Sequence, residues 1–381
     1  MAKMKTKLTA VILSAALLTA CSKAEEPAAE NNARIIDSFT NVTDSGMLYS
    51  DGDGRLNFFD FESMNSSVLC TRPNCTHTDR ETCSSYGMTN HPILYDGSLF
   101  FFDREFLEVE KDGEFVLTNK TTIYQADPDG TNRISRQVID EFTAPFGRML
   151  LSGDTAYFPL SKVEYDEYGS STGYEETWLC SYNIPENKFT MIEKLYEGYH
   201  AGTWIHGLWD GKIYLNIGYA HELIPYPFGM ESDNNAMNDY MQKIKDVTIS
   251  EEKVYDIEAG TVSDSDMPKP EYVGEGYYVY DKDGAAAVVP EIGGEMVLKD
   301  FPMYERNTVY IYGDIMFSYR ENICADLSKG GKIKALDRSE GEVIEAYYNG
   351  GYIVSKYTAA DDGEHGFNVY SRVEPDQLIA G

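Results

Sequence analysis

A hairpin that recurs along the chain, tight turns built on Gly inside its copies, and only one convincing helix after the leader predict an all-β fold. Each copy has a short hydrophobic segment, a Gly or Asp-Gly turn and an aromatic-rich segment. The clearest are ILYDGSLFFFDRE from Ile93, MLLSGDTAYFPLSKVE from Met149 and IHGLWDGKIYLNIGY from Ile205. TVYIYGDIMFSYRE from Thr308 and AYYNGGYIVSKYT from Ala346 continue the series, and MLYSDGDGRLNFFDFE from Met47 is a compressed copy. The turn glycines Gly97, Gly153 and Gly211 stand 56 and 58 residues apart; Gly313 follows 102 residues later and Gly350 after another 37. Self-similarity at such a spacing marks a repeat architecture.

Most copies are followed by a second hairpin, with an aromatic strand, a polar turn and an apolar strand. These are TIYQADPDGTNRISRQVI, TWLCSYNIPENKFTMIEKL, GYYVYDKDGAAAVVPEI, IKALDRSEGEVIEA and NVYSRVEPDQLIAG. Asp-Gly and Asn-Gly turns between such segments suit the twist of paired strands. Two hairpins make a four-stranded antiparallel sheet of about 40 to 55 residues, the size of a propeller blade. The count gives a β-propeller of six blades over residues 35–381. The long gap before Gly313 is filled if the fourth unit carries an insertion, at about 220–270, between its second and third strands. Within it, NAMNDYMQKIKDV from Asn235 to Val247 has helical spacing.

These repeats are similar to the β-propeller domains of lipoproteins of Gram-positive gut bacteria, which resemble the low-density-lipoprotein-receptor and TolB-type propellers. The resemblance covers about Ile35 to Gly381. It implies a fold and carries no activity.

The first residues predict an address. Lys3, Lys5 and Lys7 form a basic head, and Leu8 to Ala20 is a largely apolar run. That run is too short to cross a bilayer as a helix, which takes roughly 20 apolar residues. The pattern is that of a secretory signal over residues 1–20. Leu18-Thr19-Ala20-Cys21 resembles the lipobox of bacterial lipoproteins, which implies lipidation of the Cys21 sulfur and removal of the peptide before it. Two or three acyl chains anchor a protein stably in a bilayer. Residues 21–34 read as the lipidated Cys and a polar, flexible stalk. The expected location is extracytoplasmic, on the cell membrane, or on the outer membrane if the organism has one.

Charge narrows the partners. The chain carries 32 Lys and Arg against 63 Asp and Glu. Loss of the leader removes three Lys and no acid, leaving 29 basic residues and a formal charge of −34. Such a surface repels phosphate backbones and argues against nucleic acid as a partner. With 42% apolar residues the chain can nonetheless bury a large core.

Three groups of residues are candidates for chemistry. Cys70-Thr-Arg-Pro-Asn-Cys75-Thr-His77, with Cys83 beyond it, breaks the strand pattern between the first two units. Three Cys and a His are the donor set of a closed tetrahedral zinc site. The spacing departs from the common zinc-finger patterns, and His77 lies only two residues from Cys75. A disulfide, Cys70 with Cys83 or Cys75 with Cys83, is the alternative, natural outside the cytoplasm. With Cys21 lipidated, five Cys remain, so at least one is unpaired or metal-bound. The segment resembles one found in the same lipoproteins. Second, Asp-rich turns at Asp51, Asp127, Asp281 and Asp361 hold carboxylates, but none continues into a complete calcium loop, and turn formation explains them better. Third, the insertion gathers Tyr219, His221, Tyr226, Phe228 and Tyr240 around Pro225 and Pro227, a surface suited to a sugar ring or a peptide. Trp204, His206 and Trp209 read as core of an inner hairpin.

No serine-hydrolase elbow, zinc-protease helix, Walker loop or dinucleotide fingerprint is present; His221-Glu222 lacks a second His four residues on. The expectation is therefore a binding or scaffolding lipoprotein for a glycan, peptide or protein. The rival is an envelope enzyme acting on glycans or peptidoglycan through a pair of funnel carboxylates.

Overall fold

The computed structural model describes residues 33–38, 40–51, 53–79, 81–111, 114–166, 171–227, 234–303, 309–338, 341–359 and 366–379. Cys21, Phe228 and the Asp361 turn lie outside the described residues. The chain is all-β and built largely of four-stranded antiparallel sheets. After β1 (Arg34–Ile36), the strands β2 (Thr40–Val42), β3 (Gly46–Ser50), β4 (Leu56–Asp60) and β5 (Asn65–Val68) form the first sheet. The second contains β6 (Ile93–Tyr95), β7 (Ser98–Lys111), β8 (Glu114–Ala126) and β9 (Ile134–Asp140).

An eight-stranded sheet follows. It holds β1, then β10 (Met149–Ser152), β11 (Thr155–Tyr165), β12 (Ser171–Asn183), β13 (Lys188–Trp209), β14 (Lys212–Ala220), β15 (Ile249–Asp256) and β16 (Thr261–Asp264). β13 is long enough to serve two groups of four. Its first half pairs with β12 and its second with β14, with register shifts on both sides of the change. Next come β17 (Pro270–Gly274), β18 (Tyr277–Lys282), β19 (Ala285–Pro290) and β20 (Met296–Pro302) in one sheet. β21 (Val309–Tyr312), β22 (Ile315–Ser318), β23 (Ile323–Asp326) and β24 (Lys332–Ala335) form another. β25 (Glu342–Tyr348), β26 (Gly351–Ala359) and β27 (Gly366–Val373) end the series as a three-stranded sheet.

The turns explain the register. At Asp96-Gly97, Asp210-Gly211, Asp283-Gly284 and Asn349-Gly350 both residues have positive φ, between 45° and 84°. This is the type I′ geometry that twisted hairpins favour, and Gly occupies its second position without a Cβ penalty. The flanking pairs, such as Tyr95 with Ser98 and Trp209 with Lys212, then fall into place. Glu275-Gly276 makes the same turn with a less usual first residue.

Each sheet is buried on both faces, which is why segments such as Leu99-Phe100-Phe101-Phe102 are continuously apolar. Leu99 and Phe101 pack towards Leu48 and Leu56 of the first sheet, whereas Phe100 and Phe102 pack towards Met149 and Phe158. The pattern continues along the chain. Leu150 and Leu179 meet Ile205 and Leu215; Tyr214 and Val254 meet Val273 and Tyr278. Val279 and Val288 meet Val309 and Met316, and Phe317 and Cys324 meet Ile344 and Tyr352. Ala346 and Ile353 of the last sheet then share a cluster with Met47, Phe59 and Phe61 of the first. There Phe59 stacks on Tyr370 with ring centroids 4.2 Å apart. Burying a side chain of that size contributes about 1.5–3 kcal/mol.

The insertion differs from its sequence reading in extent. The helix is present as α1 (Asn234–Val247), with none of its residues buried. Ile249 to Asp264, however, forms β15 and β16 beside β14, so the irregular segment spans only 221–248. The acidic run Ser250-Glu251-Glu252 hid the first of these strands, because it pairs at an exposed sheet surface. The hairpin at Tyr277 consequently belongs to a sheet of its own rather than to the fourth unit. A second short helix, α2 (Pro375–Leu378), lies near the C-terminus. No helix among the described residues is long and apolar enough to cross a membrane.

Candidate functional site

A cleft of about 760 Å³ opens where the segment between β9 and β10 meets β11, β12, β13 and β14. Its walls carry two aromatic rings that the core does not claim. Phe146, on the Thr143–Gly147 segment, is 88% exposed, and Trp204, on β13, is 42% exposed. Trp204 was expected in the core. It alternates instead with Ile205, which is fully buried opposite Leu215, so its own side chain must face the other way. The Arg148 guanidinium lies over the indole at 4.4 Å and is itself paired with Asp37 at 3.1 Å, which fixes the ring.

The polar part of the cleft comes from adjacent strands. Ser161 Oγ and Thr177 Oγ1 lie 2.7 Å apart across β11 and β12. Burial pushes the Glu175 carboxyl above its ordinary range, only partly offset by a hydrogen bond from Ser161. Burial, and then the nearby charge of Glu175, raises the Tyr196 hydroxyl to about 12. Arg104 and Asn216 complete a set of donors and acceptors. Among the described lining residues Glu175 is the single carboxylate.

The Phe146 segment is held from behind. His91 is fully buried with a φ of 51°, and its Nε2 donates to the Gly147 carbonyl at 2.7 Å. Ser38 Oγ donates to the same oxygen at 3.1 Å, and the backbone N–H of Thr143 donates to Ser161 O at 2.8 Å. Burial lowers the His91 pKa from its ordinary value.

Four of the five aromatic candidates of the insertion are described, and none of these lines the cleft itself. They buttress it. Tyr219 stacks parallel on Tyr196 at 5.6 Å, and His221 stands edge-on to Tyr219 at 5.4 Å. Tyr226 and Tyr240 meet edge to face at 5.4 Å, and Tyr240 lies 6.4 Å from His200 on the cleft wall. The backbone N–H of Ile224 donates to His200 Nε2 at 2.7 Å, tying the insertion to β13. The insertion therefore supports the wall from outside, and Phe146, Glu175 and Tyr196 are the residues the sequence did not single out.

A second constellation lies in the long connection from β5 to β6. The donor atoms of Cys70, Cys75, His77 and Cys83 all fall within 4.8 Å of one another, the one such convergence of metal-binding side chains among the described residues. Cys83 Sγ is 3.5 Å from His77 Nδ1 and 3.0 Å from Ser85 Oγ. Left-handed backbone at Asn74 and His77, with φ of 60° and 59°, folds the chain tightly enough for Cys75 and His77 to face one point. Against the opposing effect of burial, hydrogen bonds from Ser84 and Arg72 bring the Cys70 thiol down to about 6. None of the five described cysteines is in a disulfide. Cys180 and Cys324 behave as core residues, their thiols pushed up by burial to about 12 and about 11.

The described Asp-rich turns use their carboxylates within the turn and on neighbouring side chains, Asp127 Oδ2 accepting from Asn132 Nδ2 at 2.6 Å. Asp51 Oδ1 accepts from the N–H groups of Asp53 and Arg55 at 3.1 and 3.0 Å, and Asp281 Oδ1 accepts from Gly284 at 2.7 Å.

No protein-family model and no curated protein matches the chain. Among solved structures, it is similar to an oligogalacturonate lyase in complex with manganese, at 12% identity over 91% of each chain and a TM-score of 0.46. An oligogalacturonate lyase from Vibrio parahaemolyticus matches at 10% identity over 92% of this chain and 95% of its own, TM-score 0.43. A prolyl endopeptidase matches at 11% identity, TM-score 0.45, over 99% of this chain and 53% of its own.

Proposed function

We propose that this chain is a lipid-anchored, extracytoplasmic binding protein whose cleft takes a sugar unit of a glycan. The observation that carries the reading is the pairing of exposed Phe146 and Trp204 with a polar floor of Ser161, Thr177 and Glu175. Aromatic faces match the apolar C–H surface of a sugar ring, while hydroxyls, amides and a carboxylate match its edge. A peptide or protein ligand would use the same rings with less need of the hydroxyl pair. The single carboxylate among the described lining residues weighs against the glycosidase rival, which needs two.

The scaffold for this reading is a β-propeller of seven units rather than six. The halves of the eight-stranded sheet count separately, β17 to β20 adds a unit, and packing of Phe59 against Tyr370 joins the last to the first. The anchor is an acylated Cys21. Expression of the full precursor tests it: Cys21→Ala should move the protein from the membrane to the soluble fraction and abolish fatty-acid labelling. Labelling that persists would sink the anchor.

For the cleft, a chain beginning at Ser22 is screened by thermal shift against oligosaccharides, cell-wall fragments and peptides. Ligand at a hundred times its Kd adds about 2.7 kcal/mol of stability. A shift with one glycan class that disappears in Trp204→Ala supports the reading. Shifts with peptides alone, or none in the whole panel, would overturn it.

A further inference from the structure

We propose that Cys70, Cys75, His77 and Cys83 form a structural zinc site that clamps the first sheet to the second. The inference is independent of the cleft and of its ligand. Its basis is convergence. A tetrahedron with zinc–sulfur bonds of about 2.3 Å has edges of about 3.8 Å. The four donor atoms lie within 4.8 Å of one another, and the His77 to Cys83 edge is already 3.5 Å. Small rotations of the half-buried Cys70, Cys75 and His77 side chains would close the rest.

The surroundings suit bound thiolates. Ser85 Oγ lies 3.0 Å from the Cys83 sulfur, an outer contact of the kind that orients a ligand and spreads its charge. Zinc with three thiolates and one neutral imidazole carries a net charge of −1. In a strongly acidic chain the loop nonetheless sits among Arg55, Arg72 and Arg133. Arg55 Nη1 donates to His77 O at 3.2 Å, and Arg133 Nη2 donates to the carbonyls of Ser84 and Tyr86 at 2.6 and 2.8 Å.

The position gives the ion a task. Among its described residues the loop has no helix or strand of its own, yet both neighbouring sheets hold it. Leu56 of β4 donates its backbone N–H to Ser85 O at 2.9 Å. Ser84 Oγ donates to Asp129 O, in the β8 to β9 turn, at 2.7 Å. An ion joining Cys70 at the end of the first sheet to Cys83 at this contact closes the loop across both. Among the described residues from Cys70 to Cys83 only Cys83 is buried, so the loop would otherwise rest on little apolar packing. Binding would release the protons still held by the thiols, so affinity should fall in acid.

The test uses the full-length folded protein, purified under reducing conditions, with zinc measured by elemental analysis. One zinc per chain is expected, with the thiols of Cys70, Cys75 and Cys83 protected from a thiol reagent until a chelator is added. Cobalt in place of zinc should give the intense visible bands of a tetrahedral, thiolate-bound ion, and chelation should lower Tm by about 5 °C or more. Cys83 is buried and its replacement risks the fold, so the informative variants are Cys75→Ser and His77→Cys. The first should lose the metal, whereas the second, which restores four ligands, should keep it; Cys180→Ser should change neither content nor spectrum. Folded wild-type protein that takes up neither zinc nor cobalt would overturn the site. So would a disulfide among the three cysteines in protein purified without reductant, seen as a deficit of two hydrogen atoms in the intact mass.

Discussion

The Cys70 to Cys83 loop and the cleft are opposite solutions to the same task of bringing polar groups together. The loop gathers its four donors from one short stretch of chain by two left-handed turns and a few bonds to its neighbours. The cleft draws Asn90, Phe146, Glu175, Trp204 and Asn216 from separate strands and connections, and regular pairing does the positioning. A local cluster announces its chemistry in the order of its residues. A distributed one is visible only after register is known. The two regions also meet, because the connection that begins with the cysteines runs on to Thr89 and Asn90 of the cleft lining and to His91, which pins the Phe146 segment.

That residue offers the strongest way to break the comparison. His91→Ala removes a fully buried ring and leaves the Gly147 carbonyl with Ser38 as its remaining side-chain donor. A loss of about 2–4 kcal/mol of stability is expected from the cavity and the lost hydrogen bonds. Chemical denaturation measures it, and glycan affinity should fall with it because the aromatic segment is no longer held. If stability falls and affinity does not, the cleft is independent of the connection behind it. Trp204→Ala is the next largest effect and separates the two readouts. Its ring is partly exposed, so stability should change little, while affinity in titration calorimetry should drop about tenfold or more, about 1.4 kcal/mol per factor of ten. An unchanged affinity would remove the ring from the site.

What could be read in advance follows the same division. The type I′ hairpins were legible because Asp-Gly and Asn-Gly state their own backbone geometry, and α1 was legible within one residue from its spacing. The convergence of Cys70, Cys75, His77 and Cys83 was suggested by donor type, although only the positive φ at His77 explains how neighbours two apart can share a point. The sheet of β17 to β20 was missed because its first turn is Glu275-Gly276, and β15 because its acidic residues mask alternation. Trp204 was misplaced for a simpler reason. Thr203 to Trp209 is apolar on both parities, so nothing in the letters says which side faces the core. The register shift within β13 decides it, and that shift depends on Gly207, where an added Cβ would stand 2.1 Å from Val273 O.

Glu175 gives the smallest effect and the sharpest test of whether the cleft floor is built for a ligand rather than for the fold. Burial raises its pKa above the ordinary carboxylate value of 4.5, so between that value and the folded one the folded chain holds a proton that the unfolded chain has released. The favourable contribution of that proton is complete below pH 4.5 and is lost as pH rises through the folded value. Glu175→Gln keeps the neutral shape at every pH. Its Tm should therefore match the wild type in acid and exceed it by about 1–2 °C at neutral pH, a difference that opens only above pH 4.5. Glycan affinity should move oppositely, falling in the variant at a pH where the wild-type carboxyl is ionised, because a charged acceptor binds a sugar hydroxyl more strongly than a neutral amide does. A stabilised variant with weakened binding identifies a carboxylate kept at a cost to the fold for the sake of its ligand. Equal Tm profiles across the pH range would mean that the carboxylate is solvated well enough to play no such part.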